Sequence, residues 1–263
     1  MVGYLAKTLC LVAALVALSP SLYALSPQIE DLERRAKTDG EAAYALGEHY
    51  IREGDNSKAF HWFKKGYELG DKQAARGVGY IYDEIYHDYP NAIKWYEIAH
   101  KMGDYEAAYD LGILYEDIRK DYPKAIKWYE IAHNKIKNKD AAYALGKLYD
   151  DILKDYPNAI KWYEIAHKIN NKSAAYALGK LYDDIFKDYP TAIKWYEIAH
   201  NANKDDKAAY ALGLLYDDIL KDYPNAIKWY EIAHKINNKS AAYALGKLYD
   251  DILKDYPNAI KWY

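Results

Sequence analysis

Along residues 141–173 the apolar positions return with the period of an α-helix. Ala142, Leu145, Tyr149 and Ile152 lie at i, i+3, i+7 and i+10, on one face. The pattern breaks at Lys154-Asp155-Tyr156-Pro157, and proline suits the first turn of a new helix, where its missing N–H is not needed. Beyond it, Lys161, Glu164 and Lys168 form one polar stripe. Ala159, Ile160, Trp162, Tyr163, Ile165, Ala166 and Ile169 make the remainder apolar. Such a helix has to be covered on two sides. Asn170-Asn171-Lys172 turns the chain back. Ser173, like Asp140 and Ser240 in the same register, has the chemistry of a helix N-cap. The stretch therefore predicts a hairpin, helix A then helix B, with Trp162 and its equivalents (Trp62, Trp95, Trp128, Trp195, Trp229 and Trp262) as the main fillers between helices. Gly146 interrupts helix A at a cost of about 0.8–1.0 kcal/mol relative to alanine, which predicts close approach of a neighbouring backbone.

The hairpin recurs. An Ala-Ala dipeptide falls at 42, 74, 107, 141, 174, 208 and 241, in steps of 32, 33, 34, 33, 34 and 33 residues, and the glycine is kept in all seven copies. One hairpin cannot bury its own surface, but stacked copies can, so the period predicts a helical solenoid. The first copy diverges, with Glu53-Gly54-Asp55-Asn56 between its helices and Phe60, Trp62 and Phe63 in helix B. Residues 148–185 are identical to residues 215–252, an offset of two units, so the later copies agree because a two-repeat block was duplicated. Residues 25–41 predict a short polar helix, opened by Ser26-Pro27, that caps the array, and Thr38-Asp39-Gly40 ends it. The chain stops inside helix B of the seventh copy. The expectation is a fragment of a longer protein, with Ile260, Trp262 and Tyr263 exposed, or else self-association at that end.

The string Ala-x-x-x-Leu-Gly-x-x-Tyr, followed by Ala-Ile-Lys-Trp-Tyr and a further Ala, resembles the Sel1-like repeat, a branch of the tetratricopeptide-like α-solenoids. The resemblance covers residues 42–263 as seven repeats, the last truncated. It implies an all-α, right-handed α-solenoid of helix–turn–helix units that acts as a protein-binding scaffold. Two departures stand out. Asp150-Asp151-Ile152-Leu153 holds the place where the family usually has a Gly-rich loop, and the Cys-rich, disulfide-stapled subgroup is not matched, because the chain has a single cysteine, Cys10.

Residues 1–24 read as a secretory signal, with Lys7 as the positive region, an 11-residue apolar run over residues 8–18, and Leu22-Tyr23-Ala24 as the cleavage site. The run is too short to span a bilayer. The alternative is an uncleaved N-terminal anchor. Export predicts a periplasmic or secreted protein that relies on helix packing without disulfides. The 31 tyrosines reconcile 51% hydrophobic residues with a mean hydropathy of −0.50. With 36 basic and 39 acidic residues well mixed, no basic face argues for nucleic acid.

Candidate chemistry is sparse. Glu-x-x-His recurs as Glu97/His100, Glu130/His133, Glu164/His167, Glu197/His200 and Glu231/His234. Di-metal sites use this motif, but only with four helices aiming at one point. Equivalent residues of a solenoid form a ladder instead, and a histidine near a helix C-terminus suits the helix dipole. No metal and no cofactor are expected. Ser-x-x-Lys, Ser-Asp-Asn, Lys-Thr-Gly and Gly-x-Ser-x-Gly are absent, so catalysis is not expected. A β-lactam-hydrolysing or penicillin-binding activity, suggested for Cys-rich relatives, is one alternative. A purely structural spacer is another.

By the resemblance, helix A lines a concave groove. Its inward residues are Tyr109, Ile113, Glu116 and Asp117 in the third repeat, and Tyr143, Lys147, Asp150 and Asp151 in the fourth. Tyr176, Lys180, Asp183 and Asp184 follow in the fifth, and Tyr210, Leu214, Asp217 and Asp218 in the sixth. A tyrosine ladder beside an acidic ladder selects a basic or amide-rich peptide or protein. The competing reading has the tyrosines packing sideways on the next repeat and the carboxylates solvating a rim. The chain is expected to be a monomer that meets a membrane only through its export signal, with end-to-end association at the uncapped C-terminus as the exception.

Overall fold

The computed structural model describes residues 27–263, so the signal segment and Ser26 lie outside the described residues. Those residues form two compact units divided between Ala107 and Ala108, and no strand occurs among them. The fold is an all-α solenoid of helical hairpins. The first unit holds α1 (Pro27–Arg35), α2 (Gly40–Glu53), α3 (Asn56–Glu68), α4 (Lys72–Tyr80) and α5 (Tyr89–Lys101). Helix α6 (Glu106–Ile113) runs across the division. The second unit continues with α7 (Tyr122–Ile136), α8 (Lys139–Lys147), α9 (Tyr156–Lys168), α10 (Ala174–Leu181) and α11 (Tyr189–Asn203). It ends with α12 (Asp206–Leu214), α13 (Tyr223–Lys235), α14 (Lys239–Lys247) and α15 (Tyr256–Trp262).

In the first unit α1 lays Ile29, Leu32 and Ala36 on the first hairpin, and the Tyr50 hydroxyl donates to Glu33 Oε1 at 2.8 Å. Asp39, expected only to end that helix, also caps α2 by accepting from the Glu41 and Ala42 N–H groups.

In the second unit each helix A packs on its own helix B, and that helix B on the next helix A. Small residues set the spacing. Ala141, Ala142, Ala159 and Ala166 are fully buried, with Leu145 and Leu148 between them. The largest fully buried side chains are Tyr129, Tyr163, Tyr196 and Tyr230 here, and Phe63 in the first unit. This corrects the expectation for tryptophan. Trp162 and Trp229 are buried, but Trp62, Trp95, Trp128, Trp195 and Trp262 are half-buried, and the centre of the hairpin belongs to the next residue along. The aromatic ring also explains the glycine. A Cβ on Gly146 would lie 2.6 Å from Cε1 of Tyr163, so the close neighbour is a helix B ring, not a backbone.

Helix A does not end where its α-helical hydrogen bonds do. In the fourth repeat it widens into one π turn, Leu148–Ile152, with the Leu153 N–H donating to the Leu148 carbonyl at 3.0 Å and the Asp155 N–H to the Tyr149 carbonyl at 2.8 Å. The cause is one residue. The glycine precedes the helix B cap by eight positions in the first repeat (Gly47, Asp55) and by nine in the fourth (Gly146, Asp155), and the wide turn absorbs the insertion. Lys154, in the left-handed region at φ 55°, closes it. Helix B then starts as predicted, with Pro157 in its first turn and Asp155 accepting from the Asn158 N–H.

The N-caps of helix A differ from expectation. Asp140 and Ser240 lie inside their helices, and the Ser173 side chain makes no cap bond. The capping side chains are two residues earlier: Asn138 accepts from the Asp140 and Ala141 N–H groups, Asn171 from Ser173 and Asn238 from Ser240. Asn171 also donates through Nδ2 to Asp140 Oδ1 of the preceding repeat at 3.0 Å, and Asn238 does the same to Asp206 Oδ2. One amide therefore caps a helix and ties two repeats together.

Two stability predictions follow from this packing. Gly146→Ala improves helix propensity yet should lower stability by about 1–3 kcal/mol, because the added methyl has to displace Tyr163. Urea unfolding followed by circular dichroism measures it, and an unchanged or raised midpoint would show that the ring contact is loose. Asn171→Ala should cost about 1–2 kcal/mol as a lost cap, while the exposed neighbour Lys172→Ala should stay within about 0.5 kcal/mol.

Candidate functional site

The predicted groove residues of the third and fourth repeats come together. Tyr109, Ile113, Glu116 and Asp117 face Tyr143 and Lys147 across a cleft of about 450 Å³, which Tyr129, Asp140, Ala144, Asn171 and Ser173 complete. Helix A of each repeat supplies its wall. Tyr109, Tyr143, Tyr176 and Tyr210 are half-buried, each with its ring centroid 5.6–5.8 Å from the helix B tyrosine of its own repeat (Tyr129, Tyr163, Tyr196 and Tyr230). Each of these rings thus leans on a tyrosine of its own repeat, whereas the competing reading has them pack sideways on the next repeat, and Tyr109 and Tyr143 also line the cleft.

The acidic ladder divides in two. The inner member of each pair accepts from the buried helix B hydroxyl: Tyr129 donates to Glu116 at 2.6 Å, Tyr163 to Asp150 at 3.4 Å, Tyr196 to Asp183 at 3.3 Å and Tyr230 to Asp217 at 3.3 Å. These four acids are half-buried, while Asp117, Asp151, Asp184 and Asp218 are exposed. Burial first, and the adjacent Asp151 second, raises the Asp150 carboxyl above its ordinary value against the opposing Tyr163 bond, and Asp183 and Asp217 behave alike. The four helix B hydroxyls are pushed far up, by burial and by the carboxylates beside them. The exposed row can therefore meet a partner, or be reversed in charge, without disturbing the tyrosine bonds. Lys147 and Lys180 are exposed as well, and Lys180 lies 3.9 Å from Asp184.

The histidines have a structural place that sequence reasoning missed. His133 is 7% exposed, and its ring meets Trp162 of the next repeat edge-on at 5.4 Å and 88°. His200 repeats this with Trp229 at 5.4 Å, and His167 with Trp195 at 5.3 Å. Burial, then Lys137, depresses His133 below the ordinary imidazole value, which favours the neutral ring that packs on Trp162. Pairing each His with the Trp 29 or 28 residues downstream, visible in the sequence, was the available signal. Among the described residues, no three His, Cys, Asp or Glu side chains are arranged to hold a metal ion, and no helix is long and apolar enough to cross a membrane.

A profile of the Sel1 repeat matches residues 40–71, 72–104, 106–132, 139–166, 172–203, 206–233 and 239–263. The chain belongs to the Sel1-repeat family. Among solved structures, it is similar to a Sel1 repeat protein from Oxalobacter formigenes, at 27% identity and a TM-score of 0.62, over 83% of this chain and 96% of that one. It is also similar in fold to a protective antigen of uropathogenic Escherichia coli displaying an SLR fold, at 23% identity and a TM-score of 0.72. That match covers 89% of this chain but 54% of the antigen, so the chain spans about half of that protein's length. None of the curated proteins matches the sequence. Sel1 repeats generally form interaction scaffolds without catalytic function.

The tyrosine–carboxylate pairs of these Sel1 repeats set a pH dependence. Folding raises the tyrosine pKa values above the unfolded value of about 10, so the stability they contribute is complete below pH 10 and is lost as pH rises beyond it. Tyrosinate absorbance and helical ellipticity, followed together, should show a class of tyrosines that ionises only as helix is lost. Tyr163→Phe should shrink that class. Gradual ionisation of every tyrosine with the helices intact would contradict the buried pairs.

Proposed function

We propose that the chain is an exported scaffold whose helix A groove holds a basic or amide-rich segment of a partner protein. The observation that carries this reading is the cleft of the third and fourth repeats, where the half-buried rings of Tyr109 and Tyr143 stand beside the exposed carboxylates of Asp117 and Asp140. Tyrosine offers a large contact area with few rotatable bonds, and a row of like charge selects a partner of the opposite charge. Buried contacts within each repeat hold the tyrosines in place before binding, which reduces the entropy lost on association. Export is supported by Lys7, the apolar run over residues 8–18 and the Leu22-Tyr23-Ala24 site. The partner assignment belongs to this chain's own residues and is not transferred from the longer antigen.

The charge-reversal test has to use the exposed row, because Asp150 and Asp183 anchor buried tyrosines. Asp151→Lys with Asp184→Lys should leave thermal melting unchanged and reduce retention of partners captured from the parent organism's envelope and medium by about tenfold. Equal retention by both baits would reduce the exposed row to a solvated rim and favour a spacer. Export is checked separately, by the mass of the protein recovered from each compartment. A mature chain beginning at Leu25 outside the cytoplasm is the expected result, and an unprocessed cytoplasmic chain would remove that part of the reading.

A further inference from the structure

The groove is not electrically uniform. Each step between adjacent repeats is lined by equivalent positions: the residue after the glycine, the acid pair, and two positions of the next helix A. Between the fourth and fifth repeats the corresponding residues are Asp150 and Asp151 with two lysines, Lys147 and Lys180, and Ser173 in the remaining place. Between the fifth and sixth they are Asp183 and Asp184 with Lys180, which lies 3.9 Å from Asp184, and Lys207. Between the third and fourth, Glu116, Asp117 and Asp140 face a single lysine, Lys147, and the position after the glycine is the apolar Ile113. This is the step at which the cleft of about 450 Å³ opens.

Its carboxylates are held before any ligand arrives. The fully buried Tyr129 hydroxyl donates to Glu116 Oε2 at 2.6 Å, and the buried Asn171 amide donates to Asp140 Oδ1 at 3.0 Å. Each carboxylate keeps a second oxygen outside those bonds. The walls are the half-buried rings of Tyr109 and Tyr143. The field of Asp140, Asp110, Glu116 and Asp117 converges on the Tyr109 hydroxyl, acting with burial to resist its ionisation. Aromatic faces with fixed carboxylates fit a planar cation better than a compact one. A guanidinium can stack on a ring while donating in two directions, whereas an ammonium is more strongly hydrated and gives up more on entering.

We propose that the cleft between the third and fourth repeats is a subsite for an arginine side chain of the bound segment, with Glu116 and Asp140 accepting from the guanidinium between Tyr109 and Tyr143. It rests on the groove reading above and adds to it the residue type and the place. The arginine preference then lies at this step, and the charge-balanced steps from the fourth repeat to the sixth supply contact area.

Labelled glycine–serine peptides carrying three arginines, three lysines or three citrullines, titrated into the full chain and followed by fluorescence anisotropy, test this. The arginine peptide should bind most tightly, and citrulline, its neutral isostere, should not bind. Glu116→Gln with Asp140→Asn keeps acceptors for Tyr129 and Asn171, so melting should be unchanged while arginine-peptide affinity falls by about tenfold or more. The same charge change outside the groove, Glu53→Gln with Glu68→Gln, should change it less than twofold. Parent affinity in the first variant, equal losses in both variants, or displacement of the peptide by calcium at stoichiometric concentration would overturn the subsite. The two readings fail separately. A captured partner lost with the Asp151/Asp184 reversal but kept by the Glu116/Asp140 variant sinks the subsite and leaves the groove. A partner indifferent to both sinks the groove as its binding surface.

Discussion

A ring lying on a glycine governs the shape of every repeat in the second unit. Tyr163 presses on Gly146, where no Cβ could fit, and this brings helix A and helix B into close contact. The same ring carries a hydroxyl that would be costly to bury alone, and Asp150 accepts it at the end of helix A. The carboxylate sets where the wide turn must place its backbone, and the insertion of one residue makes that turn available. The ring, the missing side chain, the acid and the π turn therefore behave as one unit. Its edges bear the rest: Tyr143 leans on Tyr163 and lines the cleft, and Trp162 meets His133 of the preceding repeat.

Much of this was legible in the sequence because helical stacking leaves a periodic trace. The seven hairpins, the proline entry to helix B and the cap in front of the first repeat all follow from spacing and residue type. What escaped was set by contacts between residues far apart in sequence. The glycine signalled that something comes close, but backbone and ring leave the same mark on a single position. Asn171 was read as a turn residue, since its second role needs Asp140 of the repeat before it, 31 residues away. Asp140 and Ser173 have equal N-cap chemistry on paper. The helix actually starts where an earlier asparagine reaches the N–H groups, which local propensity does not distinguish.

The groove residues illustrate the same boundary. The resemblance to the repeat family places Tyr109, Glu116, Asp117, Tyr143 and Lys147 on one surface, and in the structure they line one cleft. Register could not tell the two acids of each pair apart. Adjacent positions on a helix differ by about 100° in direction, so one carboxylate turns inward to a hydroxyl and the other outward to solvent. Reversing the charge of the outward one leaves the tyrosine bond in place, whereas the inward one has to keep an acceptor for its hydroxyl.

Duplication adds a separate constraint. Residues 148–185 and 215–252 are the same sequence, so their hairpins repeat the same bonds, as the matching Asn171–Asp140 and Asn238–Asp206 ties show. Copying extends a surface without diversifying it. Glu116 and Asp140 precede the first copy of that block, and Asp140 is replaced by Lys207 two repeats on, while Glu116 is replaced by Asp183. The cleft they line is thus a step that the duplication did not reproduce. An array built this way lengthens its contact area by copying, and the copied step between the sixth and seventh repeats has Ser240 where the third-to-fourth step has Asp140, so the copy extends the surface without repeating that cleft's acids.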